Sequence, residues 1–530
     1  MKRNIYLYFI AIGGLLAASC GKGYLTNLAV NPNTPSTSQT SPALVLSAAL
    51  TSTAAEANTG DYQAQCNWFG LINWKGGYAI STPTLTYVLT NTTDNGNWNN
   101  IYYNLSNYVF MESAAKATAT ATVTYDYFAA ISKIMQAWDY EYLVDNFDNI
   151  PFTQAFQAAS GGTILPVYDS AQSVYEAQIS ELDSAISIIN TNISNPIEYS
   201  PGEYDVMFQG NMSSWASFAN TLKLRMLLQL SEMSGSSAYV TGEIAKTAST
   251  PYLGPGQNGF VNPGYANQNG PNNGNQQSPF YGYIGFSVTG QPTGTYSELG
   301  AGQPGIDFFN RTNDATRLPL MYTPVPGTTT FISAPFGILP AYSISNIGPG
   351  ALQGATQPSI LISAGESLLL QAEAAERGWI PGGDAGAKTF YDEGVIESFL
   401  YLNGVYFNNA AAATAATAAA TAYLAQTGVE DVSWAGTTDQ KIRTIIEQKW
   451  IAWDMFNPMI SWNDYRRFQD MTNADGTKGW PDVPLSKNPN LQVSHIPYRV
   501  LYPQSEYNLN AANVAKQGTL TGDNTIFWMP

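Results

Sequence analysis

Six stretches of this chain repeat apolar residues at the three- and four-residue spacing of one helix face. That periodicity leaves little room for anything but a mainly helical fold. The first stripe is Tyr127, Ile131, Ile134, Trp138 and Tyr142. Others run from Tyr175 to Ile189, Trp215 to Leu230, Leu361 to Ala375, Ala387 to Leu402, and Ile442 to Trp453. Residues of this kind fill a core, and none of the stripes reads as a cofactor box.

The stripes fall into pairs. The fourth ends near Arg377 at Gly378, and Pro381-Gly382-Gly383 follows, with Asp384 placed to cap the next helix. The unit from about 360 to 402 has the length and the alternation of small and large residues of a tetratricopeptide repeat. Residues 124–193 predict a second pair, turning near Asn149-Ile150-Pro151. The Ala-Thr run from Ala410 to Ala422 is cheapest as helix. The stretch from Pro251 to about Pro358 breaks the pattern. Its Gly, Asn and Pro clusters predict a loop-dominated insertion, with short strands near Ile284–Val288 and Thr329–Ile332.

The first residues predict export. Lys2 and Arg3 precede an apolar run from Ile5 to Leu16, and Ala17-Ala18-Ser19 leads into Cys20. This is the pattern of a lipoprotein signal peptide over residues 1–19, giving a chain that starts at a lipid-bearing Cys20. The run is shorter than the roughly 20 apolar residues a spanning helix needs. Residues 20–42 then read as lipidated cysteine and polar tether, and 43–530 as the folded body. With Cys20 lipidated, Cys66 has no disulfide partner.

Composition narrows the chemistry. Charged residues are 12% of the chain, half the usual share, and the formal charge is −17. Loss of Lys2 and Arg3 makes it more negative still, so nucleic acid is excluded as a natural partner. The one histidine, His495, cannot build a multi-His metal site, and a structural role suits it. Gly382-Gly383-Asp384-Ala385-Gly386 lacks the Lys-Ser/Thr of a phosphate loop. Asn473-Ala-Asp475-Gly476 has Met471 where a calcium loop needs its first ligand. Neither implies a cofactor. Asp139 and Glu141 point in different directions on a helix, and with Asp145 and Asp148 they read as solvated or helix-end groups.

Aromatic residues are 13% of the chain, with 33 Tyr and 12 Trp. Several sit among glycines on loops: Trp68, Trp74 and Tyr78 around Gly70, Gly76 and Gly77, then Tyr281, Tyr283 and Tyr296 in the irregular stretch. Flat rings of this kind form platforms for the C–H faces of sugars, while amides and charged groups take the hydroxyls. These six are the candidate ligand-binding residues.

Several segments resemble the SusD/RagB family of surface lipoproteins. They are Asp205-Val-Met-Phe-Gln-Gly-Asn with Trp215 to Arg225, Tyr142 to Phe152, Ser363 to Ala375, Lys449-Trp450-Ile-Ala-Trp453 with Trp462-Asn-Asp464-Tyr-Arg466-Arg467, and Pro497 to Asn508. Asn457-Pro458 and the Phe527-Trp528 ending depart from the family's usual pattern. The resemblance implies a mainly α fold of tetratricopeptide-type helix pairs, the SusD-like fold, with long irregular loops and a few short strands. It implies a non-enzymatic protein on the outer membrane that captures an oligosaccharide and hands it to a SusC-like TonB-dependent transporter. Arg466 and Arg467 would pin helices through carboxylates, and Tyr502-Pro503 would fix the return of the chain. A peptide-capturing lid, a surface glycoside hydrolase and a protein-only scaffold are the alternatives.

Overall fold

The computed structural model describes residues 40–57, 68–77, 82–93, 95–158, 161–270, 274–471, 479–480, 485–491 and 493–530. Cys20, Cys66, Tyr78 and the 473–476 segment lie outside the described residues, as does the region expected to be signal peptide. About half of the protein is helical. The long helices are α1 (Ala43–Ala57), α3 (Asn95–Thr118), α4 (Asp126–Phe147), α5 (Ala171–Asn192), α6 (Met212–Gln229), α11 (Ala364–Glu376), α12 (Gly383–Leu402), α13 (Ala413–Leu424) and α14 (Thr438–Trp453). Shorter ones are α2 (Thr82–Thr86), α7 (Ser237–Lys246), α8 (Gly294–Glu298), α9 (Gln303–Arg311), α10 (Leu318–Met321), α15 (Met459–Arg467), α16 (Gln504–Leu509) and α17 (Ala511–Val514).

All six periodic stretches form helices, except that Leu361 at the head of the fourth belongs to a short strand, Ser359–Ile362, and local chemistry starts and stops them. Side-chain oxygens of Ser170, Asn211 and Ser363 accept the backbone N–H three residues on, and Thr437 forms a capping box with Gln440. Gly378 takes the positive φ of 74° that ends α11. Asp384 does not cap. It lies in the first turn of α12 and reaches instead to Trp434 Nε1 (2.9 Å) and to Lys441.

The helices stack in sequence: α1 on α3, α3 on α4, α4 on α5, α5 on α6, α6 on α11, α11 on α12 and α12 on α13. This is the row of tetratricopeptide-type pairs. Helices α14 and α15 lie against it, α14 on α11 and α12, and α15 on α14 and α6. Charged side chains are buried along that seam. Arg467 grips both carboxylate oxygens of Glu373 (2.5 and 2.8 Å) and Asp464 (2.7 Å). Arg225 pairs with Glu141 and, at 3.2 Å, with Glu366. Burial would raise Glu373, yet Arg467 and Arg377 hold its carboxyl down to about 2.

Arg466 works differently from the expectation. It donates to the backbone carbonyls of Asp145, Tyr498 and Trp462 and lies 3.8 Å from the Trp462 ring. The Asp145 carboxylate is engaged by Trp528 Nε1 (2.9 Å) and Asn463 (2.7 Å), which anchors the C-terminal segment. Trp462 donates to Pro497 O, and Tyr502 to Asn149 O, while Pro503 opens α16. Trp215 donates to Asp205, whose carboxylate also takes the N–H groups of Met207, Phe208 and Gly210. Asp139, Glu141 and Asp145 are therefore buried, not solvated. His495 is structural: it stacks on Tyr498, 4.6 Å between centroids.

Strands are short: β1 (Ile72–Trp74), β2 (Gly259–Val261), β3 (Leu299–Ala301), β4 (Tyr322–Thr323), β5 (Asn346–Ile347) and β6 (Ser359–Ile362). They pair antiparallel as β1–β3, β2–β6 and β4–β5. The strands expected at 284–288 and 329–332 are absent. Residues Tyr281–Gly285 coil into one π-helical turn, closed by Phe286 N–H to Tyr281 O. Ile332 is held by the Ser345 hydroxyl and carbonyl-to-amide contacts outside any ladder.

Candidate functional site: a cleft beside the β1–β3 pair

The β1–β3 ladder joins two regions more than two hundred residues apart in sequence. Trp74 stands opposite Leu299, and the Lys75 N–H continues the ladder to Glu298 O (2.7 Å). The candidate group around Trp74 is thereby brought next to the one around Tyr296. A third segment, 334–346, closes over both. The buried amide of Asn73 donates to the carbonyls of Ala334, Pro335 and Ile338 at 3.0–3.3 Å. Gly76 permits the approach: a Cβ there would stand 1.9 Å from Pro340 O.

Between these segments lies an open cleft of about 510 Å³ lined by Lys75, Gly76, Gly77, Ser297, Pro326, Pro340, Tyr342 and Asn346, with Ala341, Ser343 and Ile344. Its size suits a small oligomeric ligand. Tyr342 is 52% exposed, its hydroxyl tied to Ser333 O (3.2 Å). Lys75 Nζ donates to Tyr296 O (2.7 Å) and stands 5.2 Å from the Tyr296 ring centroid. From Tyr296 a row of rings continues to Phe286 (4.7 Å) and Tyr281 (6.0 Å). Tyr283 is exposed on the same π turn.

The expected residues divide. Trp74 and Tyr296 adjoin the cleft residues Lys75 and Ser297 in sequence, and Tyr281 and Tyr283 lie further off on the π turn; all four are partly or fully reachable from solvent, and none of them lines the cleft. Trp68 does not belong there. It is 4% exposed and packs edge-on against Trp462 (5.5 Å) and Tyr87 (6.4 Å), so its ring fills the core. Tyr342 and Lys75 were missed by sequence reasoning. A lone tyrosine between Ala341 and Ser343 carries no local signal, although the Gly76-Gly77 pair after Lys75 marked a turn that Lys75 could flank.

A second cavity lies under α15, walled by Trp138, Arg225, Glu366 and Arg467, among others. At about 30 Å³ it has room for one or two waters and none for a sugar ring. Its ion pairs serve the fold. Among the described residues no group of histidine, cysteine and carboxylate side chains could hold a metal ion, and no helix is long and apolar enough to cross a membrane.

The sequence matches the family model SusD-like, described as starch-binding and associating with the outer membrane, over residues 32–503. Solved structures share the fold. A SusD homologue from Bacteroides fragilis is 18% identical, with TM-score 0.72 over 93% of this chain and 100% of that one. A chitin-binding SusD homologue from Flavobacterium johnsoniae is 20% identical, with TM-score 0.70 over 91% and 98%. A SusD-like protein from Bacteroides thetaiotaomicron is 21% identical, with TM-score 0.68 over 92% and 98%. No curated protein matches the sequence. Helix row, seam of ion pairs and family match coincide over nearly the whole chain, which belongs to the SusD-like family of outer-membrane-associated nutrient-binding proteins.

Proposed function

We propose that this protein is a glycan-capturing surface lipoprotein, held to the outer membrane by lipid on Cys20, which binds an oligosaccharide in the cleft beside β1 and passes it to a SusC-like TonB-dependent transporter. The observation that carries the reading is the cleft itself. It is open and large enough for sugar rings, exposed Tyr342 lines it, and its lining among the described residues includes no carboxylate. Sugar C–H faces stack on such a ring, and Ser297, Asn346 and the backbone at Gly76-Gly77 offer partners for hydroxyls.

Hydrolysis of a glycosidic bond needs two carboxylates facing each other across the ligand. The cleft lining supplies neither, which favours binding over catalysis. The chitin-binding relative of similar fold supports a carbohydrate ligand over a peptide.

Calorimetry with soluble polysaccharides and their oligomers tests the reading. Tyr342→Ala is expected to weaken binding by about 1–3 kcal/mol, the range of a stacked aromatic contact. Unchanged affinity in Tyr342→Ala and Tyr296→Ala alike would reject this cleft as the site.

A further inference from the structure

The cleft's charge is at odds with the rest of the molecule. The chain carries a formal −17, yet the one charged side chain in the cleft lining is a cation, Lys75. Its ammonium spends one N–H on Tyr296 O, and no carboxylate among the described residues pairs with it. Elsewhere Lys133, Lys223, Lys246, Lys388, Lys441 and Lys449 each form ion pairs, and the other described lysines, Lys116, Lys487 and Lys516, are exposed to water. Two N–H donors on a half-buried ammonium therefore have no hydrogen-bond partner among the described residues.

A half-buried cation without a counter-ion is costly, and the cost falls when a ligand supplies one. Burial accordingly lowers Lys75 to about 8. The groups around it offer no compensation. Tyr296 and Tyr281 are pushed up by burial and stay neutral. β3 carries no titratable group, and the Glu298 of α8 meets Lys75 through its backbone carbonyl. Tyr342, on the loop opposite, completes the titratable groups of the lining.

Resting on the glycan reading of this cleft, we infer that Lys75 selects an oligosaccharide bearing an acidic, carboxylate-containing sugar residue, whose carboxylate takes the two unspent N–H donors while a neighbouring ring stacks on Tyr342. The overall negative charge does not forbid this. At physiological salt it is screened beyond about 8 Å, so it disfavours a dense polyanion far more than a single carboxylate placed against Lys75.

The test compares uronate oligomers with their methyl esters, which keep the backbone and remove the charge, beside neutral oligosaccharides. The free acid is expected to bind about tenfold more tightly than the ester, the size of one hydrogen-bonded charge pair. Added salt should narrow that gap. Lys75→Arg should keep the preference and Lys75→Met should abolish it. Equal affinity for acid and ester in the native protein would overturn the inference. So would tighter binding of neutral oligomers, and if that binding is weakened by Tyr342→Ala the glycan reading of the cleft stands without it. Failure of acidic and neutral glycans together would sink both.

Discussion

At the scale of single residues, buried charge is the feature that most distinguishes this protein. A chain with only 12% charged residues places many of them inside, in multidentate pairs. Arg467 is the clearest case, because it ties α15 to α11 through Glu373. Removing one partner of such a pair strands the other, so Arg467→Met should cost about 3–5 kcal/mol in urea unfolding, and adding Glu373→Leu should recover much of it. Glu373 also sets an acid dependence. Its folded-state carboxyl is held at about 2 against an ordinary 4.5. Its stabilisation is thus complete above pH 4.5 and is lost as pH falls through about 2. Glu373→Gln should flatten that limb of the stability curve; an unaltered limb would contradict the account.

At the scale of elements, close packing of α11 on α12 depends on two glycines. A Cβ on Gly365 would lie 2.5 Å from the Trp453 ring and 3.1 Å from Gly394 O, and one on Gly394 would lie 2.8 Å from Leu369. Helix propensity alone would make Gly365→Ala stabilising by about 1 kcal/mol. The close approach reverses the sign, and a loss of about 1–3 kcal/mol in thermal or urea unfolding is expected. The helices were legible in the sequence because their core stripes are long and their caps are local. Helices α1 and α3 were not: one is an Ala-Ser-Thr run, the other scatters Asn and Tyr around its circumference, and neither shows a clear apolar face. Strands of two to four residues are too short for a period of two to register. Nothing local separated Ile284–Val288, which begins in a π turn and forms no strand, from Ile72–Trp74, which pairs.

At the scale of the whole molecule, the cleft is a product of topology. Lys75 meets Tyr296, Asn73 meets Pro335 and Gly76 meets Pro340, all contacts between segments that only the finished fold brings together. Loop aromatics flanked by glycine singled out Trp74, Tyr281, Tyr283 and Tyr296, which stay at least partly exposed, and also Trp68, which the core absorbs. Ring type reveals capacity for stacking; exposure is decided by neighbours distant in sequence. The helix row is therefore the readable part of this protein, and the surface it carries is the part that had to be seen.

Hydrogen exchange of the protein, with and without a glycan that it binds, addresses the cleft most directly. Protection should appear in peptides covering 72–77, 294–301 and 338–346, where ligand would cover backbone around Lys75, Ser297 and Tyr342, while α13 and the α5 surface stay unchanged. Protection confined to other segments, with these three unaffected by a bound glycan, would contradict the assignment of the cleft as the binding site.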